Sequence, residues 1–266
     1  MQLDNVRDWY PEHLHNRPIF LLREYLQYEI LRILFESKYA TKYTFLGGTC
    51  LRIGYGTERF SEDLDFDNVG LTVEEFEETA RIISRGLELL GYNVTLKFAY
   101  KGAYHCSIKF PALLYHYELS GHKEAKLMIK LDTEKQAFSY ERVLIPINRF
   151  GVQTELVATP IGLLGSQKVA AILGRKRAKG RDYYDLHWLL QKGARLNYGY
   201  LNDRFGVTTE TGLRNLVATH IQPLDFDLLA EDVRPFLIDR TDIKAVKNFP
   251  EFWQTTKLIS ADDAPY

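Results

Sequence analysis

From Pro18 to Ser37 the apolar residues Ile19, Leu22, Leu26, Ile30, Leu31 and Leu34 recur at helical spacing, with Arg23, Glu24 and Glu29 between them, which predicts an opening helix. Tyr43 to Leu46 is a short apolar run that reads as a buried strand. It leads into Gly47-Gly48, with Thr49 placed to cap a short helix through Arg52 and Tyr55. The stretch Asp63 to Val69 alternates acidic and apolar residues, so Asp63, Asp65 and Asp67 share one face of a predicted strand and Leu64 and Phe66 the other. A second helix is predicted from Thr72 to Leu90, where Val73, Phe76, Ala80, Ile83 and Leu87 keep the period until Gly91 ends it. Further strands are predicted at Tyr92 to Tyr100, Tyr104 to Phe110 and Lys126 to Asp132, broken by Gly102, Pro111 and Gly121.

After Thr159 the pattern turns helical. Pro160 stands at a helix start ahead of Ile161, Leu164, Val169, Ile172 and Leu173, and another helix is predicted from Asp182 to Gln191 before Gly193. Segments near Glu210 to His220 and Asp239 to Asn248 continue this character without repeats or a low-complexity linker. The expected fold class is α+β, a mixed α/β arrangement: a mixed sheet with flanking helices over residues 1–158, then a helical domain over 159–266.

A chain of 266 residues can bury such a core without disulfide or metal staples, and 45% hydrophobic with 26% charged residues is the composition of a folded chain. The net charge of -1 gives no overall pull toward a polyanion, so contact with nucleic acid has to come from a local patch. Cys50 and Cys106 form no CxxC pair, which speaks against a disulfide framework and fits a reducing cytoplasm. The first residues lack a secretory pattern and no run approaches the roughly 18 apolar residues of a membrane span, so no membrane partner is expected.

The candidate chemistry lies in Gly47-Gly48-Thr49, thirteen intervening residues, and Asp63-Leu64-Asp65. Two glycines let the backbone approach a triphosphate, and the amides opening the next helix, with the Thr49 hydroxyl, offer donors to phosphate oxygens. Asp63 and Asp65, two apart on a strand, project together and offer hard oxygen ligands to magnesium held also by substrate phosphates. Asp132, at the end of a neighbouring strand, is the candidate third carboxylate, for the same metal or for activating the acceptor. Taken singly, a Gly-Gly turn and an exposed Asp-x-Asp are common; their order along the chain is what points to a metal site.

Gly47-Gly48-Thr49, Leu51-Arg52 and Arg59-Phe60-Ser61-Glu62-Asp63-Leu64-Asp65-Phe66 resemble the AbiEii/AbiGii abortive-infection toxin family of nucleotidyltransferases, within the DNA polymerase beta-like superfamily. The likeness extends to Lys168 in Ser166-Gln167-Lys168-Val169-Ala170 and to Arg181-Asp182-Tyr183-Tyr184-Asp185-Leu186. The resemblance implies a nucleotidyltransferase dependent on Mg2+ or Mn2+, the toxin of a toxin-antitoxin or phage-defence system. Such a toxin moves nucleotides from a nucleoside triphosphate (NTP) to an acceptor, in some relatives the 3' end of tRNA, and is restrained by a separate antitoxin protein. It also implies that Asp63 and Asp65 bind the metal, that Lys168 contacts phosphate, and that Asp182 is required, a role Asp185 could share.

Other residues carry an ordinary explanation beside the functional one. Lys168 also suits a snorkelling lysine, and Asp182 a helix N-cap worth roughly 1 kcal/mol. Arg59 and Ser61 precede the acidic strand, either touching phosphate or ordering a turn. Arg175 to Arg181 holds five positive charges in seven residues, a grip for RNA or triphosphate, or a solvated loop. His105, His116, His122 and His187 show no metal-ligand spacing and receive no role. Two rival functions remain: transfer to a small molecule such as an antibiotic, disfavoured by the basic run, and a nucleotide-binding regulator without turnover, disfavoured by the filled acidic positions.

Overall fold

The computed structural model describes residues 3–259, which divide into two compact units: residues 3–54 with 60–158, and residues 55–59 with 159–259. The first unit opens with a short helix, α1 (Leu3–Arg7), and then α2 (Pro18–Phe35), whose Pro18 occupies the first turn, where a missing N–H breaks no bond. Strand β1 (Tyr43–Leu46) passes directly into α3 (Gly47–Tyr55), and β2 (Leu64–Asn68) precedes α4 (Val73–Leu89). Thr72 and Glu75 exchange side-chain and backbone bonds in a capping box that fixes where α4 begins. Strands β3 (Thr95–Tyr100) and β4 (Tyr104–Phe110), the short α5 (Leu113–His116), and strands β5 (Leu127–Glu134), β6 (Val143–Arg149) and β7 (Val152–Ala158) complete the unit.

The seven strands form one mixed sheet in the order β3-β4-β5-β2-β1-β7-β6, parallel at β2–β5 and β1–β7 and antiparallel elsewhere. Helix α2 packs on β7 and β5, and α4 packs on α2, β3 and β4, so both cover the same sheet face. Phe45, Leu64, Phe66, Cys106, Ile108, Ile129 and Leu131 are buried there. Each large apolar side chain among them contributes about 1.5–3 kcal/mol by leaving water. Because strand side chains alternate, this burial pushes Asp65, His105, Ser107, Lys130 and Asp132 to the opposite, open face.

The hairpin of β6 and β7 has no counterpart among the predicted elements. Pro146 interrupts the run Val-Leu-Ile-Pro-Ile-Asn-Arg, yet β6 is an edge strand, where a missing N–H leaves no neighbour unpaired. Phe150 and Gly151 turn the hairpin with φ of +58° and +75°, the signs of a type I′ turn. Rings of Trp9, Tyr10, Tyr25 and Tyr28 surround Phe150 and offset its strained backbone.

In the second unit the described helices are α6 (Ile161–Gly174), α7 (Gly180–Gln191), α8 (Tyr198–Phe205), α9 (Glu210–Ile221), α10 (Phe226–Val233), α11 (Ile243–Lys247) and α12 (Phe249–Thr255). Helix α7 starts two residues before the predicted Asp182, and the helix expected from Asp239 shortens to α11 behind a single 3-10 turn at Arg240–Asp242. Tyr183, Phe226, Phe249 and Trp253 form an aromatic core. Tyr55–Arg59 joins this unit through an antiparallel bridge from Arg59 to Leu237 and a 3.1 Å bond from the Ile238 N–H to the Glu58 carbonyl. No described helix is long and apolar enough to cross a membrane.

Candidate active site

At the β1–α3 bend Gly47 has a φ of +78°, and a Cβ there would stand 2.5 Å from Oδ2 of Asp65. Glycine is required on both counts, for the left-handed backbone and for the room the carboxylate takes. Pairing sets Leu46 opposite Asp65, Asp65 beside Asp132, and Asp132 opposite His105. This row crosses β1, β2, β5 and β4 on the open face, at about 4.8 Å per strand. Asp63, 35% exposed, lies just ahead of β2, with Nζ of Lys130 3.9 Å from its Oδ2. His105 Nδ1 is 2.9 Å from Asp132 Oδ1.

The loop entering β2 is held from beneath. Gln27, buried on α2, donates to the carbonyls of Ser61 and Glu62 at 3.1 and 2.9 Å, while Arg23 pairs with the Glu62 side chain at 2.8 Å. The Thr49 hydroxyl reaches the Asp63 carbonyl and lies 2.8 Å from Ser61 Oγ. With one proton to give, it donates to the carbonyl and accepts from Ser61. The capping role expected of Thr49 is therefore corrected: α3 begins at Gly47, and the buried hydroxyl is spent on the loop. The donors this bend offers a phosphate are the backbone N–H groups that open α3.

Asp67, the third residue of the acidic alternation, is taken up by structure. It accepts from the Gln136 N–H at 2.8 Å and the Tyr140 hydroxyl at 2.9 Å, tying down the chain after β5. Burial raises its carboxyl above the usual carboxylate range despite those two bonds.

Within the second unit Lys168 and Asp182 belong to a buried ion network. Arg59 Nε and Nη2 bind Asp185 Oδ1 and Oδ2 at 2.6 and 2.7 Å. Lys168 Nζ sits 2.7 Å from Asp185 and 3.1 Å from Asp182, and Arg175 Nε is 2.8 Å from the other Asp182 oxygen. That last contact fails hydrogen-bond geometry, so it is Coulombic. Burial works against charge on Lys168 and on Asp185. Their partners prevail, raising the Lys168 pKa through Asp185 and Asp182 and lowering that of Asp185 through Arg59 and Lys168.

Three expectations change here. The phosphate contact considered for Arg59 gives way to a guanidinium 1% exposed and clamped by Asp185. Asp182 is no N-cap: it lies inside α7, whose Gly180 N–H is accepted by Asp232 at 3.0 Å. The basic run is partly neutralised, since Arg175 pairs with Asp182 and Lys179 lies 3.7 Å from Asp232. Lys176 and Arg177 remain exposed.

Among the described residues, no three His, Cys, Asp or Glu side chains are gathered closely enough to hold an ion by themselves. Asp63, Asp65 and Asp132 nevertheless offer hard oxygens on one face, which fits a magnesium-type ion that completes its shell with substrate phosphates and water.

The model of the nucleotidyl transferase AbiEii toxin family, of type IV toxin-antitoxin systems, matches residues 29–254. The chain belongs to that family. It is thereby a nucleotidyltransferase, as the resemblance of its motifs implied. The fold is similar to the crystal structure of JHP933 from Helicobacter pylori, with a TM-score of 0.52 and 18% identity over 88% of this chain and 91% of that one. It is also similar to a candidate nucleotidyltransferase from H. pylori, with a TM-score of 0.50 and 16% identity over 92% and 96% of the respective chains. No curated protein matches. Gln27 and Lys130 of this AbiEii-family chain were not singled out in its sequence, and His105 was given no role there. Gln27 was signalled as a polar residue inside the apolar run Tyr25-Leu26-Gln27-Tyr28, and Lys130 by standing two residues before Asp132 on a strand.

Proposed function

We propose that this AbiEii-family chain transfers nucleotides from an NTP to an RNA acceptor, with the 3' end of tRNA as the favoured class, and that it acts as a toxin countered by a separate antitoxin. The observation that carries the proposal is the Asp65 carboxylate seated against Gly47 and in register with Asp132. Asp63 and Asp65 would hold Mg2+ or Mn2+; the bound ion supplies charge stabilisation on the phosphates and a more acidic acceptor hydroxyl. The backbone N–H groups at Gly47 and Gly48 receive phosphate oxygens, and Asp132 takes the acceptor proton. Ser61 orders the loop through Thr49. Lys168, the residue that the resemblance puts on phosphate, spends two of its three N–H donors on Asp182 and Asp185 within the second unit. Exposed Lys176 and Arg177 supply a salt-dependent attraction for an RNA backbone.

The test incubates the protein with each α-labelled NTP, magnesium and total RNA, beside Asp65→Ala. Label entering RNA with wild type alone supports the proposal. Label entering only small molecules or protein moves the acceptor elsewhere, and incorporation that survives Asp65→Ala removes the proposed metal site.

A further inference from the structure

His105 received no role from motif spacing, yet it stands in the same row as the carboxylates. Across β3, β4, β5 and β2 that row reads Ala99, His105, Asp132, Asp65. The 2.9 Å contact from Nδ1 to Asp132 Oδ1 lies at a partly exposed position, with 38% of the His105 side chain and 27% of the Asp132 side chain accessible. An ionised carboxylate only accepts, so the contact requires a proton on Nδ1 whatever the state of Nε2. Ala99, on the other flank, has no polar side chain to compete for the imidazole. A carboxylate on an open sheet face otherwise rotates freely, and a misplacement of about 1 Å at a reacting group costs about 100-fold in rate.

We infer that His105 is a positioning residue for nucleotidyl transfer: its Nδ1–H fixes Asp132 through Oδ1, leaving Oδ2 to receive the proton of the acceptor hydroxyl. The inference rests on the role given to Asp132 in the proposed function. In the balanced step the acceptor oxygen forms a bond to the α-phosphorus and the bond from the α-phosphorus to the bridging oxygen breaks. Its electron pair leaves with pyrophosphate, and the hydroxyl proton passes to Asp132.

The experiment uses the whole chain as wild type, His105→Ala, His105→Asn, Asp132→Asn and the His105→Ala/Asp132→Asn double variant. It measures label transfer from NTP to total RNA, thermal unfolding and imidazole 15N spectra. His105→Ala is expected to lower kcat about 10- to 100-fold, with the KM for NTP and the unfolding midpoint unchanged. His105→Asn should recover most of that loss, because its amide N–H replaces Nδ1–H. In the Asp132→Asn background, His105→Ala should change the rate by less than about twofold, as expected for two groups acting as one unit. The spectra should show Nδ1 protonated, with a signal that moves in Asp132→Asn. The inference is overturned by full activity in His105→Ala or in Asp132→Asn, or by a neutral imidazole protonated only on Nε2. It is overturned too if His105→Asn is as slow as His105→Ala, which makes the imidazole itself the reacting group. Absence of transfer by wild type to any acceptor overturns the proposed function and this inference together, whereas a failure confined to His105 leaves that function standing.

Discussion

Asp65 and Asp67 lie two apart on β2, and their surroundings give them opposite fates. Asp65 faces Gly47, while Asp67 is buried under Gln136 and Tyr140 with its pKa raised by desolvation. Asp65→Asn should therefore abolish transfer without lowering the unfolding midpoint. Asp67→Asn removes a charge that burial disfavours and keeps an acceptor for the Gln136 N–H, so activity and stability should stay near wild type. Gly47→Ala meets both the left-handed backbone, at about 1–2 kcal/mol, and the Asp65 oxygen. It should lower stability by that order and transfer by more than tenfold, read from thermal unfolding and label incorporation. At this scale the alternation of acids and apolar residues was legible from period two alone. Which acid serves chemistry and which serves a turn was not, because Tyr140 reaches Asp67 from 73 residues away along the chain.

Among elements, the loop from Ser61 to Asp63 depends on α2. Gln27→Leu deletes the donor to two carbonyls in a partly buried setting, which costs about 1–3 kcal/mol for each acceptor left unsatisfied and loosens the Asp63 backbone. Its expected signature is a lower kcat with an intact far-UV spectrum; equal kcat in variant and wild type would remove Gln27 as a support of the site. The helices α2, α4, α6 and α9 were readable because their apolar periods are long and their ends carry caps or breakers. The β6–β7 hairpin was not, because an edge-strand proline resembles a breaker until the neighbouring strand is known. Helices α8, α10 and α12 are short, at most eight residues each, and their formation depends on tertiary packing more than on local pattern.

On the scale of the whole molecule, each unit carries its own charge pattern behind a net charge of -1. The second unit buries Arg59, Lys168, Asp182 and Asp185 together, so Asp185→Asn leaves two cations short of a partner and should cost about 3–5 kcal/mol at neutral pH. The depressed Asp185 pKa makes that contribution complete above its unfolded value of about 3.9 and lost as pH falls below it. The raised Lys168 pKa makes its contribution complete below about 10.4 and lost above. Unfolding midpoints of wild type and Asp185→Asn should thus differ across neutral pH and converge in acid. A gap that does not narrow as pH falls below about 3.9 would show that Asp185 acts through packing rather than charge.

The sequence by itself determined the mixed sheet, the longer helices, the glycine bend, the acidic strand and the family, since each is written in neighbouring residues as period, breaker or short motif. Only the tertiary structure decided that Thr49 ties a loop, that Arg59 and Lys168 sit in buried ion pairs, and that His105 meets Asp132. Those roles depend on which strand lies beside which and on what water is excluded from. Both are set by contacts between residues far apart in the chain, which no local pattern encodes.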